Sequence, residues 1–305
     1  MTEKRVSIRF AAFVITYNRV QVLPDTIKKI LSQSLPPEEL LIVDNSDNDT
    51  TEKLVESLSN PKISYYKVGY NSGPAGASKI GLEQLAKEGF EWIYWGDDNN
   101  PPRDDSVFKR MLECINRLEK ESRKPGLMAG TGASFNSLTG RIRSHSNAEL
   151  RGKEILETDV VPGGHTLFVN SELVRRKILP DPNLFFAFED LDLSLKSKNA
   201  GFHNFVDART WLQVRYKYGD SAEDYRPNLK KKEVNRNREF YSARNLLHIF
   251  YQQRYYSAFA FTFLKILIKI PLGYFKKSGS KSSKIYTRAL KQFLTGKYQN
   301  NLKVD

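Results

Sequence analysis

Ala11-Ala12-Phe13-Val14-Ile15-Thr16-Tyr17-Asn18-Arg19 is a short apolar, β-branched run that stops on a cluster of polar side chains. The arrangement recurs at Leu40-Leu41-Ile42-Val43-Asp44-Asn45-Ser46-Asp47 and at Trp92-Ile93-Tyr94-Trp95-Gly96-Asp97-Asp98-Asn99, with another strand-like run at Ile63–Val68. Between these runs the apolar residues fall at helical spacing: around Leu23, Ile27, Ile30 and Leu31, over Thr51–Leu58, and over about Lys79–Glu88 after the glycine-rich turn Asn71–Ala77. Strands alternating with helices in this way build βαβ units, so the fold class is α/β with a mostly parallel sheet flanked by helices. An open sheet of that kind takes its ligand beyond the carboxyl ends of the strands, where the polar clusters fall.

Beyond Gly126 the pattern mixes glycine loops with short strands, then firms again at Val160–Val169 and Leu184–Gly201. After Arg215 it changes to a long, aromatic and basic helical region. The expected division is therefore a domain over 1–215 and a helical, basic extension over 216–305. Charge follows the same division. Residues 1–208 hold 27 basic and 29 acidic side chains, whereas 209–305 hold 21 and 6, so the net +13 of the chain is −2 in the body and +15 in the tail. Such asymmetry points to a polyanionic or membrane-surface partner. A hydrophobic content of 40% with 12% aromatic residues excludes a disordered chain. The single cysteine, Cys114, excludes a disulfide framework and fits a reducing compartment. Met1–Arg9 is charged and carries no apolar signal core, which leads to the expectation of a cytoplasmic protein.

Some of these residues carry chemistry. Adjacent carboxylates at the end of an apolar strand, Asp97 and Asp98, suit Mg²⁺ or Mn²⁺ shared with phosphates, although Gly96–Asn99 is equally good turn chemistry. Asp44-Asn45, taken alone, reads as a cap or an Asx-turn. Glu189-Asp190-Leu191-Asp192 opens a helix, where the macrodipole favours acids. Glu189 and Asp190 also follow Phe185-Phe186-Ala187-Phe188, and a carboxylate among aromatics is desolvated and more basic, as a general base should be. Asp192 reads as structural.

Taken together and in order, Val14–Arg19, Ile42–Asn45, Asn71-Ser72-Gly73-Pro74-Ala75-Gly76-Ala77, Gly96–Asn99, Gly163-Gly164 and Phe186–Leu193 resemble the inverting glycosyltransferases of family 2, over roughly residues 8–215. The nearest flavour is that of rhamnosyl- and galactofuranosyl-type transferases, whose Tyr-x-x-Arg-Asn element is similar to Phe240-Tyr241-Ser242-Ala243-Arg244-Asn245 here. The resemblance implies a GT-A fold and a nucleotide-sugar donor, a UDP- or dTDP-sugar. It implies that Thr16, Tyr17, Asn18, Arg19, Asp44 and Asn45 hold base and ribose, and that Asn71, Gly76, Lys79 and Asp97 line the donor pocket. Asp97 and Asp98 would hold Mg²⁺ or Mn²⁺, with Asp98 preferred as the direct ligand. Asp190 would be the base, with Glu189 as the alternative, and Gly163, Gly164 and His165 would form a loop facing the acceptor. Two departures stand out. The acidic motif has either Gly96 in place of its first acid or Asn99 in place of its last. The downstream histidine of relatives is missing from Asp207–Val214, which leaves Gln213, Arg215 or His165 to stand in. His145, His203 and His248 read as structural or surface residues.

In the tail, Ser257–Phe275 is largely apolar but carries Lys265 and Lys269 near its middle, four residues apart. A spanning helix needs about 20 apolar residues without central charges. This one reads instead as an amphipathic helix lying on an anionic membrane surface, helped by the basic residues of 240–291, each worth about 1 kcal/mol. Packing on the catalytic domain and a homo-oligomer interface are the competing readings. The aliphatic stripe argues against nucleic acid. The resulting expectation is a metal-dependent transferase acting on a glycan or lipid-linked glycan of the cell surface, peripheral at the inner face of the membrane. A nucleotidyltransferase and a non-catalytic, membrane-associated nucleotide-binding adaptor are the alternatives.

Overall fold

A computed structural model of the chain describes residues 8–164, 166–224, 236–274 and 280–298. The first half is the expected alternation: β1 (Phe10–Thr16), α1 (Leu23–Leu31), β2 (Leu40–Asp44), α2 (Thr50–Leu58), β3 (Ile63–Lys67), α3 (Gly73–Lys87), β4 (Trp92–Asp97) and α4 (Val107–Lys120). The helix after the glycine-rich turn begins at Gly73, not near Lys79. Pro74 is preset for a first helical turn, and the Asn71 side chain accepts the Gly73 N–H at 3.0 Å, so the turn itself becomes helix.

The chain continues through β5 (Pro125–Ala129), the hairpin of β6 (Ala133–Phe135) and β7 (Ile142–Ser144), α5 (Asn147–Leu150), β8 (Ile155–Thr158), β9 (Leu167–Asn170), α6 (Ser171–Arg175), α7 (Glu189–Asn199), β10 (His203–Asp207) and α8 (Ala208–Lys217). One sheet has the strand order β3-β2-β1-β4-β9-β5-β10-β8. β1, β2, β3 and β4 pair in parallel, as do β5 and β10, while β9 runs antiparallel between β4 and β5. β8 closes the far edge antiparallel to β10.

Both faces of this sheet are covered, which explains why its central strands read as unbroken apolar runs. Ala11, Phe13, Ile15, Ile93 and Trp95 pack on one face with α3, α6 and α7. Phe10, Ala12, Val14, Trp92 and Tyr94 pack on the other with α1 and α4, where Tyr94, Phe108 and Phe168 form an aromatic cluster with ring centroids 4.6–5.5 Å apart. The reversed strand β9 has a consequence for function. Its first residues lie at the edge where β4 ends, so the preceding Gly163-Gly164 is delivered beside Asp97.

α8 runs across the expected boundary at 215, and three further helices follow: α9 (Arg236–Gln252), α10 (Tyr256–Tyr274) and α11 (Ser280–Thr295). They share a core of Phe240, Tyr241, Leu247, Ile266, Ile285 and Tyr286, against which Phe185 and Phe186 pack. Ile249, Phe250 and Ala258 pack on Ala75, Leu184, Leu191 and Leu195 of the body. Among the described residues no helix is long and apolar enough to cross a membrane.

Candidate active site

The polar ends of β1, β2 and β4 converge on a cleft of about 420 Å³, lined by Thr16, Tyr17, Arg19, Asn45, Asn71, Gly73, Asp97, Asp98, Phe185 and Phe186 among others. Asn45 organises its floor. Its backbone N–H donates to Thr16 O at 2.9 Å, its Oδ1 accepts the Ser72 hydroxyl at 2.8 Å, and its Nδ2 donates to Gly73 O at 3.2 Å. One residue thus ties the ends of β1 and β2 to the start of α3.

Asp97, the last residue of β4, and Asp98 just after it have different surroundings. Asp98 is buried and accepts from Thr16 Oγ1 at 2.9 Å and from the Arg19 guanidinium at 3.1 Å, while its carbonyl accepts the Thr26 hydroxyl at 2.5 Å. Among the described residues the Asp97 carboxylate accepts no hydrogen bond. It lies under Gly164, where a Cβ would come within 2.1 Å of Asp97 Oδ2 and where φ is +68°, so only glycine fits. Burial, the charge of Asp98 and the charge of Asp190 push Asp97 up to about 6, against the pull of Arg19. Position 96 has a local reason to be glycine: a Cβ there would meet the Tyr94 ring at 2.7 Å.

Asp190, in the first turn of α7, faces this pair across the Gly163-Gly164 loop. Its Oδ2 accepts the Gly163 N–H at 3.2 Å, and Asn100 holds the same loop through Gly164 O at 2.7 Å. The Glu189 carboxyl is buried beside it, and its Oε2 has no hydrogen-bond partner among the described residues. Desolvation first, then the charge of Asp190, lifts Glu189 to about 8, well above the ordinary carboxylate range, so the protonated form is favoured at neutral pH.

The segment leading into these acids is backbone-strained. Phe185, Ala187 and Phe188 have φ of 58°, 71° and 68°, left-handed values that cost non-glycine residues of order 1–3 kcal/mol each. Opposite Phe185, Gly73 has φ +70° and a Cβ there would meet Phe185 O at 2.2 Å.

Several residues expected in the donor pocket do not line the cleft. The buried Asp44 carboxylate is spent on the Ser46 N–H at 2.8 Å and on Tyr65 OH at 2.9 Å, an Asx-turn. Asn18 forms the adjoining turn at φ 54°, donating its N–H to Ser46 Oγ and accepting from Asn48. Gly76 makes room for Ser72 within α3, and Lys79 lies farther along that helix. Of the residues expected to replace the missing histidine, Arg215 is buried against Trp211 and Asn147, and Gln213 faces the groove by Leu150. His165 lies outside the described residues. His145 bonds Thr158, His203 bonds Glu157 and His248 bonds Asp181, all away from the cleft. Phe185 and Phe186 also wall the cleft, and their place just before the acidic pair is the sequence signal for it.

Among the described residues no three acidic, histidine or cysteine side chains converge to enclose a metal ion. The donor set of Asp97 and Asp98 still fits Mg²⁺ or Mn²⁺, which commonly bind one or two carboxylates and take the remaining ligands from phosphates and water. A second cavity, of about 500 Å³, opens beyond Asn100 and is lined by Arg103, Met111, Thr166, Trp211 and Tyr218 among others.

A family model described as "Glycosyl transferase family 2" matches residues 11–173. A galactofuranosyltransferase of Mycolicibacterium smegmatis, GlfT1, is 25% identical over 227 residues, covering 72% of this chain and 73% of the relative. Among solved structures, the mannosyltransferase PcManGT of Pyrobaculum calidifontis, in complex with GDP-Man and Mn²⁺, superposes with a TM-score of 0.53 at 12% identity, over 95% of this chain and 88% of that one. GalNAc-T7 with UDP, GalNAc and Mn²⁺ gives 0.52 at 15% identity, over 66% of this chain and 42% of that longer one. The architecture is the GT-A fold.

The Glu189 carboxyl makes a test of the site's electrostatics. Its folded value of about 8 lies above the ordinary 4.5, so its contribution to stability is complete below about pH 4.5 and is lost as pH rises to about 8. Glu189→Gln, which stays neutral, is expected to melt above the wild type at pH 8, with the gap closing at pH 4.5. A melting difference that does not change with pH would contradict the assignment.

Proposed function

The chain belongs to glycosyltransferase family 2, and on that premise we propose that it moves a sugar, with inversion, from a nucleoside-diphosphate donor to a hydroxyl of a cell-surface glycan or its lipid-linked precursor. The observation that carries the reading is the cleft itself, which sets carboxylates, a guanidinium and two aromatic rings around a volume suited to a nucleotide-sugar. Arg19, Asn45, Asn71 and Thr16 hold the nucleoside and diphosphate, and Phe185 and Phe186 wall the sugar side. Asp190 takes the proton from the acceptor hydroxyl as its oxygen bonds to the anomeric carbon. The bond from that carbon to the diphosphate breaks on the opposite side, its electron pair leaving with the diphosphate, and a single displacement of this kind inverts the centre. Asp97 and Asp98 would hold Mg²⁺ or Mn²⁺, and the Arg19 guanidinium would bind the phosphates. When bound, the cation supplies positive charge to the leaving diphosphate. The acceptor enters past Gly163-Gly164, where the cavity beyond Asn100 offers Tyr218 as a stacking surface for a saccharide.

The tail supports a further element of the proposal, attachment to an anionic membrane surface at the inner face of the cell membrane. Phe261, Leu264, Leu267, Ile268 and Leu272 are exposed along one side of α10, and Lys265 flanks them. Lys284, Arg288 and Lys291 are exposed on α11. Lys269 has another task, donating to Tyr286 OH at 2.7 Å. An apolar stripe edged by cations is the pattern of a helix seated among lipid headgroups.

Two outcomes follow. Asp190→Asn is expected to lower transfer by about 10²–10⁴-fold while nucleoside-diphosphate affinity, measured by calorimetry, is unchanged; full transfer would sink the base assignment. The wild type is expected to float with anionic vesicles at low salt, and the double variant Leu264→Asp/Ile268→Asp to remain in the soluble fraction with its transfer to a soluble acceptor intact. Equal flotation of the two would remove α10 from the membrane contact.

A further inference from the structure

We propose that Arg244 and Asn245 of α9 are positioning residues for the reaction: they grip the backbone of the segment that carries the proton acceptor and the aromatic wall of the donor cleft. The Asn245 amide nitrogen lies 3.0 Å from Leu184 O, 2.9 Å from Phe186 O and 2.9 Å from Ala187 O. Its Oδ1 accepts from Arg244 Nε at 2.9 Å, which fixes the amide orientation, so the donor side faces the carbonyls. The Arg244 guanidinium, fully buried, donates to Asn183 O at 3.0 Å and to Leu184 O at 2.9 Å. One turn on, His248 pairs with Asp181 at 2.7 Å. Side chains at i, i+1 and i+4 of one helix therefore hold the chain from Asp181 to Ala187.

Phe185, Ala187 and Phe188 all sit in the left-handed region, and four carbonyls of the segment, those of Asn183, Leu184, Phe186 and Ala187, accept from α9; Leu184 O also takes the Phe186 N–H at 2.6 Å. Buried carbonyls need donors, and a pair of adjacent donor-rich side chains is a compact way to supply them. Phe185 O turns the other way, accepting the Ala75 N–H of α3 at 3.2 Å. The segment is thus held between the donor-side helix and the tail, and α7 with Asp190 begins immediately after it. Displacing a reacting group by about 1 Å costs on the order of 100-fold in rate. A grip on the residues just before Asp190 therefore acts on catalysis without touching substrate.

The inference rests on the transferase reading for its kinetic arm and on geometry alone for its structural arm. Asn245→Ala in the full chain is expected to lower kcat about 100-fold with the donor KM within about threefold, and Arg244→Lys, which keeps the charge but not the fork, to fall between. Tyr286→Phe is the control. It removes the hydrogen bonds to Glu239 and from Lys269 inside the helical tail without touching the backbone of the segment, and destabilises that module while leaving kcat within about threefold. Hydrogen exchange followed by mass spectrometry is expected to lose protection at 183–190 in Asn245→Ala and to retain it in Tyr286→Phe. The proposal is overturned if Asn245→Ala retains kcat, if loss of kcat follows melting temperature alike in Asn245→Ala and Tyr286→Phe, or if exchange at 183–190 is unchanged. A wild-type chain that transfers from no nucleotide-sugar would overturn the functional reading instead, and the exchange comparison would still decide the grip.

Discussion

Asp97, Asp98, Glu189 and Asp190 meet at one edge of the sheet, opposed by the guanidinium charges of Arg19 and Arg238. Like charges gathered in a partly desolvated cleft raise one another's proton affinity, and here the consequence is a division of labour. Burial and the neighbouring charge of Asp190 raise the proton affinity of Glu189 above that of an ordinary carboxylate. Asp98 is stabilised by Thr16 and Arg19. Asp97 is left as the carboxylate with neither a hydrogen bond among the described residues nor an ordinary affinity for protons. A cleft in that state favours positive charge.

The backbone is arranged to bring these acids together. Parallel strands place Asp97 and Asp98 at their carboxyl ends, but a parallel sheet alone has no means of bringing a loop back over them. The reversed β9 does this, because its amino end lies at that edge, and glycine at 164 lets the loop rest directly on Asp97. The tail completes the arrangement from outside the sheet. Its helices contribute hydrophobic packing against Leu184, Leu191 and Leu195 and polar contacts to the carbonyls of the segment before Asp190. Packing on the body and an exposed apolar stripe on α10 are compatible, since they use different sides of the tail.

Much of this was legible in the residues. Each apolar run that ended in polar side chains became a strand whose end lines or supports the cleft, because strand length and the position of the break are local properties of the chain. Asp97 and Asp98 share an edge with Thr16 and Asn45 because alternating βαβ order dictates which strand ends meet, whereas Asp190 reaches it from the first turn of α7. The antiparallel insertion of β9 was not legible, since Leu167–Asn170 carries no mark of its direction. Nor could the pattern tell whether a polar side chain serves ligand or backbone. Asp44, in a run that matched a donor motif, spends both oxygens on Ser46 and Tyr65, and the Asx-turn reading of that residue alone describes its contacts. Arg244 and Asn245 were recognisable as a motif, but their partners lie some 60 positions away in the chain, and no local signal points there.

The most direct measurement is a crystal structure of the chain grown with a nucleoside diphosphate and Mn²⁺. The account predicts the diphosphate in the cleft between Arg19, Asn71 and the end of β4, with the cation on Asp97 and Asp98 and the Arg19 guanidinium turned from Asp98 to phosphate. A nucleotide bound elsewhere, such as in the cavity beyond Asn100, or bound in the cleft with no cation at these acids, would contradict it.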